Sequence, residues 1–102
     1  MRAIRLSITF NDELVELLAQ GMNRFGARVV GQTRDRVLDT IENFLARHPV
    51  RAVDPVIGIC AYPVTGVPFV ILYDYDVAEL RVHLVIHARA DRTNVYLTKV
   101  VW

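Results

Sequence analysis

The spacing of apolar residues changes once along this chain, and that change constrains the fold more than any other feature. Between residues 10 and 47 they recur every three to four positions; from residue 56 they alternate or run together. A period of 3.6 marks a helix with one apolar stripe, and a period of two marks a strand. The chain therefore reads as a helical first half and a β second half, with one short strand ahead of the helices.

That leading strand covers about residues 2–8, with Ile4, Leu6 and Ile8 on one face and Arg5, Ser7 and Thr9 on the other. In "TFND", Thr9 and Asp12 have the spacing of a helix capping box. Leu14, Leu17, Leu18, Met22 and Phe25 follow at helical spacing, predicting a first helix to about residue 24 that Gly26 ends. A second helix is predicted over 28–47, striped by Val30, Val37, Ile41, Phe44 and Leu45 and closed at His48-Pro49. The short join at Gly26 predicts an antiparallel helical hairpin.

"VIGICAY" (56–62) then reads as a strand, "TGVP" as a turn and "PFVILYDY" (68–75) as a second strand. The unbroken apolar run Phe69 to Leu72 predicts a central strand covered on both faces. "DVAE" turns the chain into "LRVHLVIH" (80–87), and the tail "NVYLTKVVW" is expected to add an edge strand. The expected fold class is α+β: an N-terminal strand, an antiparallel helical hairpin, then a three- to four-stranded antiparallel sheet. Residues 1–102 are read as one domain, because a chain of this length supports a single modest core.

Composition narrows the functional classes. Hydrophobic residues at 53% and charged residues at 23% belong to a folded globular chain. No apolar run approaches the roughly 20 residues of a membrane helix. Met1 and Arg2 lead into the first strand without a secretory apolar region, so a cytoplasmic setting and no membrane partner are expected. Cys60 is the sole cysteine, which excludes an intrachain disulfide and a Cys-based zinc site. A net charge of +1, from eleven arginines and one lysine against eleven acids, does not make a general nucleic-acid binder. Arginine does suit planar recognition of carboxylate or phosphate.

The polar chemistry concentrates at Arg81, His83, His87, Arg89 and Arg92. Strict alternation puts Leu80, Val82, Leu84 and Ile86 on a helix-facing side, and Arg81, His83, Val85 and His87 on the other. His83 and His87 lie about 13 Å apart along a strand, too far to share a metal ion, and neither a metal nor a cofactor is expected. Metal-free RNA cleavage needs a base, an acid and a cation for the developing charge, roles that His87, Tyr73 and Arg81 or Arg89 would fill if they converged.

The stretches "RFGARVVGQTRDRVLDTIENFLARHP" and "YPVTGVPFVILYDYDVAELRVHLVIHARADR" together resemble the RelE/ParE superfamily of toxins from type II toxin–antitoxin systems. The resemblance covers roughly residues 4–92 and rests on the order of its motifs: a strand, a hairpin joined at "FGA", a helix ending at His48-Pro49, "PFVILY", and "VIHARADR". It implies a small toxin neutralised by a cognate antitoxin, as a hetero-oligomer with it or as a homodimer. The RelE-like branch cleaves mRNA on the ribosome; the ParE-like branch poisons DNA gyrase without being an enzyme. Carried over, Tyr73 matches the strand-end tyrosine, His87 the motif histidine, and Arg89 or Arg92 the arginine after it. Asp74 stands where the family often has arginine, and Lys99 is the sole lysine, which weighs against the nuclease branch. The expectation is therefore a ParE-like, plasmid-stabilisation-type toxin that binds a protein target through Arg81, His83, His87, Arg89 and Arg92. The alternatives are a ribosome-dependent endonuclease using His87, Tyr73, Arg81 and Arg89, or a degenerate member without toxicity.

Overall fold

A four-stranded sheet in the order β1-β4-β3-β2 packs one face against a folded-back pair of helical arms. The computed structural model describes residues 1–102. Its strands are β1 (Ala3–Leu6), β2 (Cys60–Pro63), β3 (Phe69–Tyr75) and β4 (Glu79–His87). The β2, β3 and β4 strands are antiparallel to one another, and β1 lies parallel to β4. The expected α+β order is therefore present, with one parallel pairing at the edge.

The helical run α1 (Ile8–Asp39) is broken at Gly26, whose φ of 81° and ψ of 170° lie outside any helix. A straight helix of that length would be about 48 Å long, yet the longest dimension of the molecule is 39 Å. A Cβ placed on Gly21 would stand 3.4 Å from Val30 Cγ2, whereas residues nine apart in a straight helix are separated by about 14 Å. The two arms thus lie against each other as the predicted hairpin. The second arm continues through a π-helical turn, Thr40–Leu45, and ends ahead of Pro49.

The start of α1 corrects the expected capping box at Thr9 and Asp12. Ser7 is the N-cap: its Oγ accepts from the Phe10 amide at 2.8 Å and donates to the His83 carbonyl at 2.6 Å. The strand therefore stops at Leu6, and Ile8 turns outward, half exposed. Thr9 instead holds the other end of the chain, its Oγ1 accepting from the Val101 amide at 2.8 Å.

Two further strand expectations fail for identifiable reasons. Residues 56–59 do not extend β2, because the Asp54 carboxylate accepts from the amides of Val56 and Ile57 and bends them into a turn. The tail forms no edge strand. Asp91 caps a 3-10 turn at Arg92–Asn94, another follows at Leu97–Lys99, and the chain then crosses to the start of α1.

The main core joins Phe10, Leu14, Val37, Ile41 and Leu45 of the helical half to Ile71, Tyr73, Leu80, Val82 and Val85 of the sheet. A smaller core on the other face sets Val70, Leu72 and Leu84 against Ile57 and the tail residues Val95, Leu97 and Val100. As the apolar run predicted, β3 is interior and buried on both faces.

Gly26 and Gly31 provide a paired stability test. Gly26→Ala forces a side chain into a conformation open essentially to glycine, and a loss of about 1–3 kcal/mol is expected. Gly31 sits in regular helix with nothing within 4 Å of an added Cβ, so Gly31→Ala should gain about 0.5–1 kcal/mol. Urea unfolding of the two variants checks both signs.

Candidate functional site

The sheet's register slips once, and the slip decides where every candidate side chain points. Leu72 pairs with Leu84, but Tyr73 pairs with Val82, leaving His83 as an extra residue in β4. A bulge of this kind reverses the alternation beyond it. Leu80 and Val82 face the helices before the bulge, Val85 faces them after it, and Leu84 joins the opposite core. The expected single polar face is thereby corrected. Arg81 and His83 contact Asp74 on the tail side, while His87 borders a groove against the helical arms.

On the tail side, charges are already paired. Arg81 binds Asp74 through Nε at 2.9 Å, and binds Asp76 at 2.8 Å and Glu79 at 3.0 Å through Nη1. His83 Nε2 lies 3.1 Å from Asp74 Oδ1, and its ring meets Trp102 edge-on at 4.8 Å. Its Nδ1 is buried without a partner. Trp102 in turn carries the Arg5 guanidinium 4.9 Å above its ring. The last residue is thus held between Arg5 and His83, still 36% exposed. Neighbouring Val101 is also exposed, and Val100 packs on the smaller core.

These contacts set the acid–base properties of the cluster. The Arg81 guanidinium and the amides of Glu79 and Ala78 hold Asp76 down at about 2. Burial pushes Asp74 up, but hydrogen bonds from Arg81 and His83 outweigh it and leave the carboxyl below its ordinary value. Arg81 is raised, chiefly by Asp76 and then by Asp74 and Glu79.

Tyr73 is fully buried, and its hydroxyl donates to the Pro49 carbonyl at 2.7 Å. Burial pushes its pKa well up. Pairing of Phe69 with His87 puts Tyr73 four strand positions from the histidine, a separation of about 13 Å. Arg92 pairs with Asp54, which the amides of Ile57 and Val56 and the guanidinium hold below its ordinary value against the effect of burial. Arg89 is exposed, and its amide donates to His87 Nδ1 at 3.1 Å. Of the five residues read as one binding surface, His87 and Arg89 stay together; Arg81 and His83 form a second group, and Arg92 is engaged elsewhere. His83 and His87 border different faces, and no group of three His, Cys, Asp or Glu side chains is placed to hold a metal ion. Cys60 is buried, which pushes its thiol pKa up.

A groove escaped the residue-type reading. It lies between the hairpin tip and the end of the sheet, lined by Leu17, Leu18, Phe25, Val30, Pro68 and Phe69 among others, with Arg24 and His87 bordering it. Met22 and Phe25, which helical spacing puts on the apolar stripe, are 45% and 60% exposed near its end.

No family model matches the chain, and no curated protein does. Among solved structures, a chain from the chromosomal ParDE toxin–antitoxin system of P. aeruginosa superposes with a TM-score of 0.72. The match covers 85% of this chain and 96% of that one, at 10% sequence identity. At that identity the likeness is one of fold, which the two chains share over most of their length. No helix is long and apolar enough to cross a membrane.

Two stability measurements probe these assignments. Tyr73→Phe strips the Pro49 carbonyl of its buried partner and should cost about 1–3 kcal/mol in urea unfolding. Asp74 and Asp76 are depressed in the fold, so the stability they contribute is complete above the ordinary carboxylate range and is lost as pH falls towards about 2. Between pH 5 and pH 2 the native chain should lose more stability than Arg81→Met, in which both carboxyls return towards their ordinary value of 3.8. Equal losses in the two proteins would show that the arginine does not depress them.

Proposed function

We propose that the protein is the toxin of a type II toxin–antitoxin system, ParE-like, and that it arrests growth by binding a protein target rather than by catalysis. The observation carrying this reading is the fold shared across 96% of a chain from a ParDE system. DNA gyrase is the specific target proposed, the cytoplasm is the proposed setting, and a cognate antitoxin is the proposed neutralising partner.

The arrangement of side chains supports a binding protein over a nuclease. Tyr73 is buried and bonded to backbone, Arg81 is held by three carboxylates, and His87 lies about 13 Å along the sheet from the tyrosine. A metal-free ribonuclease needs its base, acid and cation within reach of one phosphate. In this fold His87 and Arg89 are the nearby pair, without a third group of that set beside them.

Induced expression in a bacterium separates the outcomes. Growth arrest with DNA-damage signalling and intact mRNA is expected, and Tyr73→Phe should remain toxic when folded. Rapid translation arrest with cleaved mRNAs would overturn the binding mechanism, and unimpaired growth with soluble protein would overturn the toxin reading itself.

A further inference from the structure

A toxin that acts by binding needs a surface for its target, and the residues first expected to form that surface are divided or already paired. Arg81 and His83 are held by Asp74, Arg92 is held by Asp54, and His87 borders the groove. A different guanidinium is fixed yet unpaired. Arg51 lies 5.2 Å over the ring of Phe44 and 5.0 Å over that of Tyr62, and the two ring centroids are 5.4 Å apart. Its Nη1 donates to the carbonyls of Val50 at 2.6 Å and His48 at 3.3 Å. Its Nε and Nη2 make no bond within the chain, and it forms no salt bridge.

The seam between the second helical arm and β2 presents these rings. The π-helical turn Thr40–Leu45 ends with Leu45 and Ala46 buried and Phe44 left 36% exposed, and such turns concentrate at functional sites. His48 lies against Phe44 at 5.6 Å, and Val50 and Val53, beside Arg51 in the sequence, are 71% and 57% exposed. None of these residues lines the groove at the hairpin tip. Residues 43–53 and 55–73 contain no aspartate or glutamate, while Arg47, His48 and Arg51 fall within the first of them. Asp54, the acid between those two segments, is taken by Arg92 and by the amides of Val56 and Ile57.

We propose that this seam is where the protein meets the target of its growth arrest, and that the target presents there a carboxylate flanked by aliphatic side chains. The carboxylate takes the Nε and Nη2 donors of Arg51, whose planar fork matches it through paired hydrogen bonds. The aliphatic groups pack on Phe44, Val50 and Val53. Aromatic and arginine side chains carry much of the binding energy of interfaces. A guanidinium already fixed on two rings also loses little freedom on binding. A second copy of this chain fits poorly, because it sets Arg47 and Arg51 against their own counterparts with no acid in the strip to receive them. Single-stranded nucleic acid fits poorly as well, since Arg51 already lies where a base would stack. The assignment rests on the toxin reading and adds the contact surface to it.

The test is induced expression at graded inducer levels, with each variant purified in parallel for circular dichroism. Val50→Glu gives Arg51 a carboxylate of its own and repels that of the target, and Arg51→Glu reverses the cation itself. Each should raise the inducer needed for arrest by at least about tenfold with an unchanged spectrum. Val50→Lys, which keeps the sign of the strip, should leave the inducer requirement unchanged. So should Val77→Glu, on the turn between β3 and β4 and 94% exposed. Val50 is largely exposed, so its variants decide the matter even where Arg51→Glu fails to fold. Arrest by the native chain and equally by Val50→Glu overturns this assignment alone, as does equal loss in Val50→Lys and Val50→Glu. Unimpaired growth with soluble native protein overturns the toxin reading and this assignment with it.

Discussion

The joint between Ser7 and the β4 bulge is the contact from which the remaining architecture follows. The Ser7 amide donates to the Val82 carbonyl at 3.0 Å, and its hydroxyl donates to the next carbonyl, that of His83. The same oxygen accepts from the Phe10 amide and starts α1. A fully buried serine thus ends β1, launches the helical hairpin and satisfies backbone where the sheet register slips. A buried hydroxyl is tolerated because both its donor and its acceptor capacity are used.

The bulge converts one strand into two chemical environments. Ahead of it and at it, Arg81 and His83 join Asp74, Asp76, Glu79, Arg5 and Trp102 in a cluster that pins the chain's last residue. Beyond it, His87 turns to the helical side and meets Phe69, with ring centroids 6.4 Å apart. The first environment is electrostatically self-sufficient. The second is an open apolar groove with Arg24 and His87 at its border.

Much of the fold was legible because it rests on period and punctuation. The switch from helical to strand spacing, Gly26 at the join and the apolar run from Phe69 to Leu72 each matched the structure. What was illegible depended on contacts distant in sequence. Ser7 displaced Thr9 as the cap because it also had a partner 76 residues away. The tail looked like a strand by composition, but Asp91 caps a turn instead and Val101 bonds to the start of the helix. Strict alternation misplaced His87 because a bulge leaves no mark in a sequence with apolar residues on both faces. For the same reason the residue types of a catalytic set were visible, but their divergence was not.

The bulge divides the two histidines between the faces of the sheet. Nuclear Overhauser contacts from the two imidazole rings test it most directly. His87 ring protons should contact Phe69 and the methyls of Leu17 or Leu18, while His83 ring protons should contact the Trp102 indole. Contacts placing His83 and His87 together on one face, with Arg81 beside both, would contradict it.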